Sequence, residues 1–431
     1  VDGSTDDVQL LLASAGYEIE ILKADPRLKP FDGSRGEALR QHVEDLIGAA
    51  EFRLGQEPRG EAPPAVRRSF SRSIRDIILM LRAAHAAMPW LAATQEPSVN
   101  LGSLYLTEEL AALLVGSKVD LVMVPDVEFM YSTVSWPFSE VIEETKGFTP
   151  QTHRRPIILY YPLSDSDRLL LHSIFSHELG HSAVAEAQLV NKVNDQIHED
   201  PTFETALGKA VENMEVAWPA SSSAKISGTL QSWLSSWLEE LLCDHLAIEA
   251  TGPAYLWAFA GFVMPLSYAD EHPGYPPNTV RTKLALDLLD ERGWTPYMEE
   301  TAPEILTWLR SIAADSSESL GQPFDFLRKE VLKRSHLLRE TAAAQVGVGR
   351  LDPEKIIPEA TEAAELLELL ILPVGAEDPL TSRAILLGGW QEGLRVHGDS
   401  PQGLVESLGD NRLQNLVGKA IEMSAIVRAW E

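Results

Sequence analysis

The sequence predicts a mainly α-helical protein with a small β-sheet, an α+β chain. Three observations carry that prediction. Apolar residues recur at spacings of three and four along most of the 431 residues. Only two short β-branched runs break that rhythm, and a proline closes each of them. The composition, 45% hydrophobic and 23% charged, is that of an ordinary globular protein, long enough for one large enzyme core or two to three smaller units.

Taken in order, Glu37 to Leu54 reads as an amphipathic helix. So does Val66 to Leu81, where Val66, Phe70, Ile74, Ile77, Ile78 and Leu81 share a face and the arginines 67, 68, 72 and 75 take the others. A further helix follows over Leu104 to Val115. Val119–Val124, stopped by Pro125, and Pro156–Tyr161, stopped by Pro162, read as strands. After the second strand, Ser164 with Asp167 three residues on resembles a capping box, so one helix is expected over about Asp165 to Val190. The uncharged stretch Ala250 to Ala269 is cut by Gly252, Pro253 and Pro265; it is too short to span a membrane and reads as a buried helix. Helices are expected again over Pro303 to Ala313, Phe324 to Ala344, Pro353 to Leu372 and Leu404 to Trp430. This organisation suggests an amino-terminal helical region (1–118), a central region with the strands (119–292) and a carboxy-terminal helical region (293–431).

Charge excludes one class of partner. Sixty-four acidic against 36 basic residues give a net charge of −28, which repels a phosphate backbone, so no nucleic-acid partner is expected. A single cysteine, Cys243, excludes an internal disulfide framework and suits a reducing compartment. The first seven residues are polar and acidic, without the basic-then-apolar pattern of a secretory leader, and a cytoplasmic location is expected.

The densest chemistry lies in His177-Glu178-Leu179-Gly180-His181. Histidines four apart on a helix are offset by only about 40°, so both imidazoles can reach one ion, and Glu178 beside the first is placed to take a proton from a metal-activated water. A zinc ion (Zn2+) needs a third protein ligand. Position 187, where a third histidine would follow in one group of such enzymes, is alanine. Downstream, Glu240 and Asp244 stand four apart on a second helix. Two like charges at that spacing repel unless a cation intervenes, which makes Glu240 a candidate ligand and Asp244 a candidate partner for the outer N–H of a ligating histidine.

The pairing of H-E-x-x-H with a later E-x-x-x-D helix resembles the gluzincin zinc peptidases. Within them, Glu240-Leu-Leu-Cys-Asp244-His-Leu-Ala247 is similar to the E-x-x-A-D-x-x-A segment of the CAAX prenyl protease branch, with Cys243 where that branch has alanine. Pro276 to Arg281 resembles the branch's H-P-P-x-x-x-R stretch, with His272-Pro273 displaced upstream by an insertion. The likeness covers roughly Leu159 to Leu286 and lacks the branch's membrane helices. Some 58 residues separate His181 from Glu240, whereas the small gluzincins that cleave transcriptional repressors share His-Glu-Leu-Gly-His with a much shorter gap. The resemblance implies zinc on His177, His181 and Glu240, with Glu178 as general base and Asp244 behind a ligand.

The expected activity is hydrolysis of a peptide or protein substrate at an amide bond. His272, Tyr275 and Arg281, on a loop stiffened by prolines 273, 276 and 277, are the candidates for stabilising the oxyanion. The strand Ile157 to Tyr161 is a candidate template for substrate added as an extra strand. Two alternatives stay open: a helical interaction or scaffold protein with a structural or degenerate zinc site, and a zinc hydrolase of a small non-peptide amide. Cys243 and His172 read as packing residues, and nothing in the sequence bears on oligomeric state.

Overall fold

The computed structural model describes residues 5–28, 37–57, 63–86, 88–89, 100–126, 131–135, 145, 148–149, 155–219, 221–266, 274–314, 321, 323–372 and 380–430. It is mainly helical with one small three-stranded mixed sheet. Contacts divide the chain into two units, residues 1–98 with 118–161 and residues 99–117 with 162–431.

The first unit contains α1 (Thr5–Ala24), α2 (Glu37–Leu54), α3 (Pro64–Ala86), β1 (Val119–Asp126), β2 (Ser132–Ser135) and β3 (Arg155–Pro162). Its core joins the expected apolar stripes, Leu39, Val43 and Leu46 of α2 and Ile74, Ile78 and Leu81 of α3, to Val122, Val124 and Ile158 from the sheet and to Leu22 of α1, a helix that was not foreseen. The strand order is β1-β3-β2. β2 pairs antiparallel with β3, from Ser132 opposite Tyr160 to Ser135 opposite Ile157, and because the sheet is mixed β1 runs parallel to β3. The two expected strands are present. β2 went unforeseen because Ser-Thr-Val-Ser carries one apolar residue and so shows no alternation. One expectation fails: β3 is central, with neighbours on both edges, so its backbone has no open side on which substrate could add as a strand.

The second unit is built from α4 (Leu101–Leu114), α5 (Phe175–Glu186), α6 (Leu189–Glu199), α7 (Pro201–Ala217), α8 (Ser223–Thr251), α9 (Pro253–Ala258), α10 (Asn278–Glu291), α11 (Thr295–Thr301), α12 (Pro303–Ala314), α13 (Phe324–Lys333), α14 (Ser335–Val346), α15 (Pro353–Glu368), α16 (Ser382–His397), α17 (Pro401–Gly409) and α18 (Asn411–Trp430). Its axis is α8. The Ser222 side chain caps the amino end by accepting from Lys225 N, and every residue from Trp237 to Thr251 except Glu239 is buried. Gly252, with φ of 58°, ends the helix against Trp294, where a side chain would come within 2.8 Å of the indole. Trp237, Trp257, Trp294 and Trp390 are fully buried in this unit. α4 packs on α18 through two glycines: a Cβ on Gly102 would lie 2.1 Å from the carbonyl oxygen of Gly418.

Several expected helices are interrupted. The one foreseen from Asp165 begins only at Phe175, preceded by 3-10 turns at Leu163–Asp165 and Leu169–Ile174, and Ser164 caps nothing. The reason is a buried polar knot. His172 Nε2 donates to the Asp165 carbonyl at 2.9 Å, and Ser103 donates to Nδ1 at 2.7 Å, pinning the chain in tight turns. Burial lowers the His172 pKa to about 4, against the carbonyl bond that raises it, so the ring is neutral and structural. The buried stretch after Gly252 is α9 followed by a π turn at Phe259–Val263. The pattern from Phe324 breaks at Arg334, and that from Leu404 breaks at Asp410, whose carboxylate accepts from the N–H groups of Arg412 and Leu413 to open α18. No helix among the described residues is long and apolar enough to cross a membrane.

Candidate metal centre

The site lies wholly within the second unit, where α5 crosses α8 at a close approach of small residues. A Cβ on Gly180 would sit 3.1 Å from the Cα of Cys243 and 3.2 Å from its Cβ. Glycine on one helix and a small residue on the other let the backbones meet, which brings His177 and His181 onto the face of Glu240. Cys243 is fully buried and burial raises its thiol well above the ordinary range, so it is a packing residue.

The two imidazoles stand edge to face, centroids 5.1 Å apart and planes at 84°. Their Nε2 atoms flank one carboxylate: His177 Nε2 lies 3.4 Å from Glu240 Oε2 and His181 Nε2 3.7 Å from Glu240 Oε1. One donor atom from each of His177, His181 and Glu240 lies within 4.8 Å of the others. Ligands at 2.0–2.1 Å around a tetrahedral ion are separated by roughly 3.4 Å, close to the two nitrogen–carboxylate distances, so these residues fit a small divalent cation once they draw together around it.

Behind the triad the histidines are held by carboxylates. Asp244 is the hub: His177 Nδ1 donates to its Oδ1 at 2.9 Å, Tyr255 OH donates to the same oxygen, and Arg281 donates through Nε to Oδ2 at 2.8 Å and through Nη2 to Oδ1 at 2.6 Å. Tyr255 OH also lies 3.3 Å from His177 Nδ1, its ring parallel to the imidazole. Burial opposes the Asp244 charge, but Arg281 and the hydrogen bond from His177 overcome it and hold the carboxyl well below its usual range. Burial likewise opposes ionisation of Glu240, and the His177 bond with the charges of His177, Arg281 and His181 keeps it low. Burial alone would lower His177, yet its bonds to Asp244 and Glu240 raise it to about 10.

Glu178 projects beside this cluster, half-buried. Burial raises its pKa, partly offset by the two histidines, which is the direction a proton acceptor working near neutrality requires. Arg281 is brought in as expected but faces backwards: its Nε and Nη2 hold Asp244, its Nη1 stands 3.9 Å from Glu240 Oε2, and its plane covers Phe259 at 4.5 Å. Tyr275 is 45% exposed. Burial and the negative fields of Glu240 and Glu178 raise its phenol, which keeps it protonated. His272 lies outside the described residues.

Sequence reasoning missed two participants. Tyr255 gave no signal beyond being an aromatic in a buried run. Glu239 did: it precedes the ligand directly, and its Oε1 lies 3.1 Å from His181 Nδ1. In comparisons with known proteins, no family model matches the chain, and no curated protein or solved structure does so either.

Proposed function

We propose that the second unit is a gluzincin-like zinc hydrolase that cleaves a peptide amide bond. The observation that carries this reading is the convergence of His177 Nε2, His181 Nε2 and the Glu240 carboxylate, with Glu178 one residue from the first ligand. A purely structural site has no use for that acid. Zinc, when bound, would polarise the scissile carbonyl and acidify the attacking water. Glu178 accepts the proton of that water and returns it to the leaving amine. Asp244, itself fixed by Arg281 and Tyr255, holds the His177 ring with Nε2 outward. Tyr275, of the three candidate donors, is the described one that the Asp244 network does not occupy, and it is assigned to the developing oxyanion, a contact commonly worth about 3 kcal/mol of barrier.

The test is metal analysis of the purified protein after zinc loading and chelator-free desalting, joined to cleavage of fluorogenic unstructured peptides. One zinc per chain is expected, with Glu178→Gln retaining the metal and losing turnover. A protein that holds no zinc, or a Glu178→Gln variant that cleaves as fast as wild type, overturns the proposal.

A further inference from the structure

The two histidines are braced from behind in unequal ways. His177 leans on Asp244, which is 4% exposed and neutralised by Arg281. His181 leans on Glu239, whose side chain is 46% exposed. Consecutive residues on a helix project about 100° apart, so Glu239 and Glu240 reach opposite nitrogens of one ring: Glu239 Oε1 meets Nδ1 at 3.1 Å and Glu240 Oε1 faces Nε2 at 3.7 Å. We propose that Glu239 is a positioning residue for His181, fixing its proton on Nδ1 so that the Nε2 lone pair is presented to the metal. One helix thus supplies a ligand and both outer carboxylates.

The inference rests on the metal-site reading above. It follows from the chemistry of imidazole, which carries its single neutral-form proton on the nitrogen whose neighbour accepts it and binds metal through the other. His181 needs this brace more than His177 does. Its side chain is 25% exposed against 8%, so water competes for its ring and packing alone does not set its orientation. Glu239 has no other hydrogen-bond partner among the described residues, and its removal leaves the core untouched.

Apo wild type, Glu239→Ala and Glu239→Gln are titrated with zinc against a chromogenic chelator, and the apo forms are melted in parallel. Glu239→Ala is expected to weaken zinc binding roughly 10- to 100-fold with the apo melting temperature unchanged. Glu239→Gln recovers much of the loss, because its amide oxygen still accepts from Nδ1–H. Equal affinity of Glu239→Ala and wild type overturns the proposal, as does a Glu239→Gln variant no better than Glu239→Ala. A wild type that takes up no zinc is a different result, overturning the metal reading itself.

Discussion

Replacing Arg281 with methionine tests the electrostatic scaffold of the site while leaving all three candidate ligands in the sequence. The change keeps a long unbranched side chain and removes two hydrogen bonds to Asp244, one through Nε and one through Nη2. Both partners are buried, at 9% and 4% side-chain exposure, so solvent screens the pair little. Breaking a buried ion pair by deleting one partner costs about 3–5 kcal/mol, chiefly the uncompensated charge left behind. Asp244 keeps Tyr255 OH and His177 Nδ1–H, which argues for the lower end, about 3 kcal/mol, or over a hundredfold in the unfolding equilibrium. The sign with pH is fixed. In wild type the carboxyl is depressed when folded, so its stabilisation is present above the ordinary value of 3.8 and is lost as pH falls through the folded pKa. Without Arg281 the buried carboxyl titrates higher, and protonation relieves its penalty. The gap between variant and wild type is therefore widest near neutrality and closes on acidification. Urea unfolding of the metal-free protein, followed by tryptophan fluorescence, reads this, because eight of the ten tryptophans lie in the second unit. A variant within 1 kcal/mol of wild type at pH 7, or a gap that widens towards pH 4, would refute the reasoning.

Two other outcomes follow from the same geometry. Gly180→Ala sets a methyl 3.1 Å from the Cys243 Cα, so α5 and α8 must shift apart by a few tenths of an ångström; the crowding cost of about 1–3 kcal/mol outweighs the roughly 1 kcal/mol that alanine gains in a helix, zinc affinity falls with it, and an unchanged or raised urea midpoint would mean the crossing has slack. His177 is held protonated up to about pH 10 in the absence of metal by Asp244 and Glu240, against the effect of burial, so zinc must displace that proton across the neutral range. Calorimetric titration at pH 7 in buffers of different ionisation enthalpy should return about one proton released per zinc, and a count near zero would mean the ring enters the site neutral.

How much of this was legible beforehand varied with the kind of signal. The i,i+4 histidines and the Glu240–Asp244 pair were readable because helical periodicity alone sets which side chains share a face, and the fold supplied the crossing that joins them. Arg281 was readable as a participant through the resemblance of Pro276 to Arg281 to the H-P-P-x-x-x-R stretch, but its direction was not: only the packed structure shows it turned towards Asp244. Tyr255 and Ser103 could not be found, since each acts through a contact distant in sequence. The helix boundaries at Phe175, Arg334 and Asp410 were missed for a related reason. Apolar spacing continues through all three; at Phe175 and Asp410 side-chain to backbone hydrogen bonds redirect the chain, and at Arg334 the guanidinium is held by the side chains of Asp200 and Glu330.

The placement of α4 bears on how the chain acquires its structure. Its residues are flanked on both sides by segments of the first unit, yet its glycine seat is on α18, more than 300 residues later. During synthesis α4 therefore emerges long before the surface that receives it, and a fragment starting at Pro162 would lack an interior helix. A contact of such sequence separation carries a large loop-closure cost and slows the search for the native state. Until α18 is made, the Gly102 face of α4 lacks the backbone it packs against, so this contact can form only after nearly the whole chain has been synthesised.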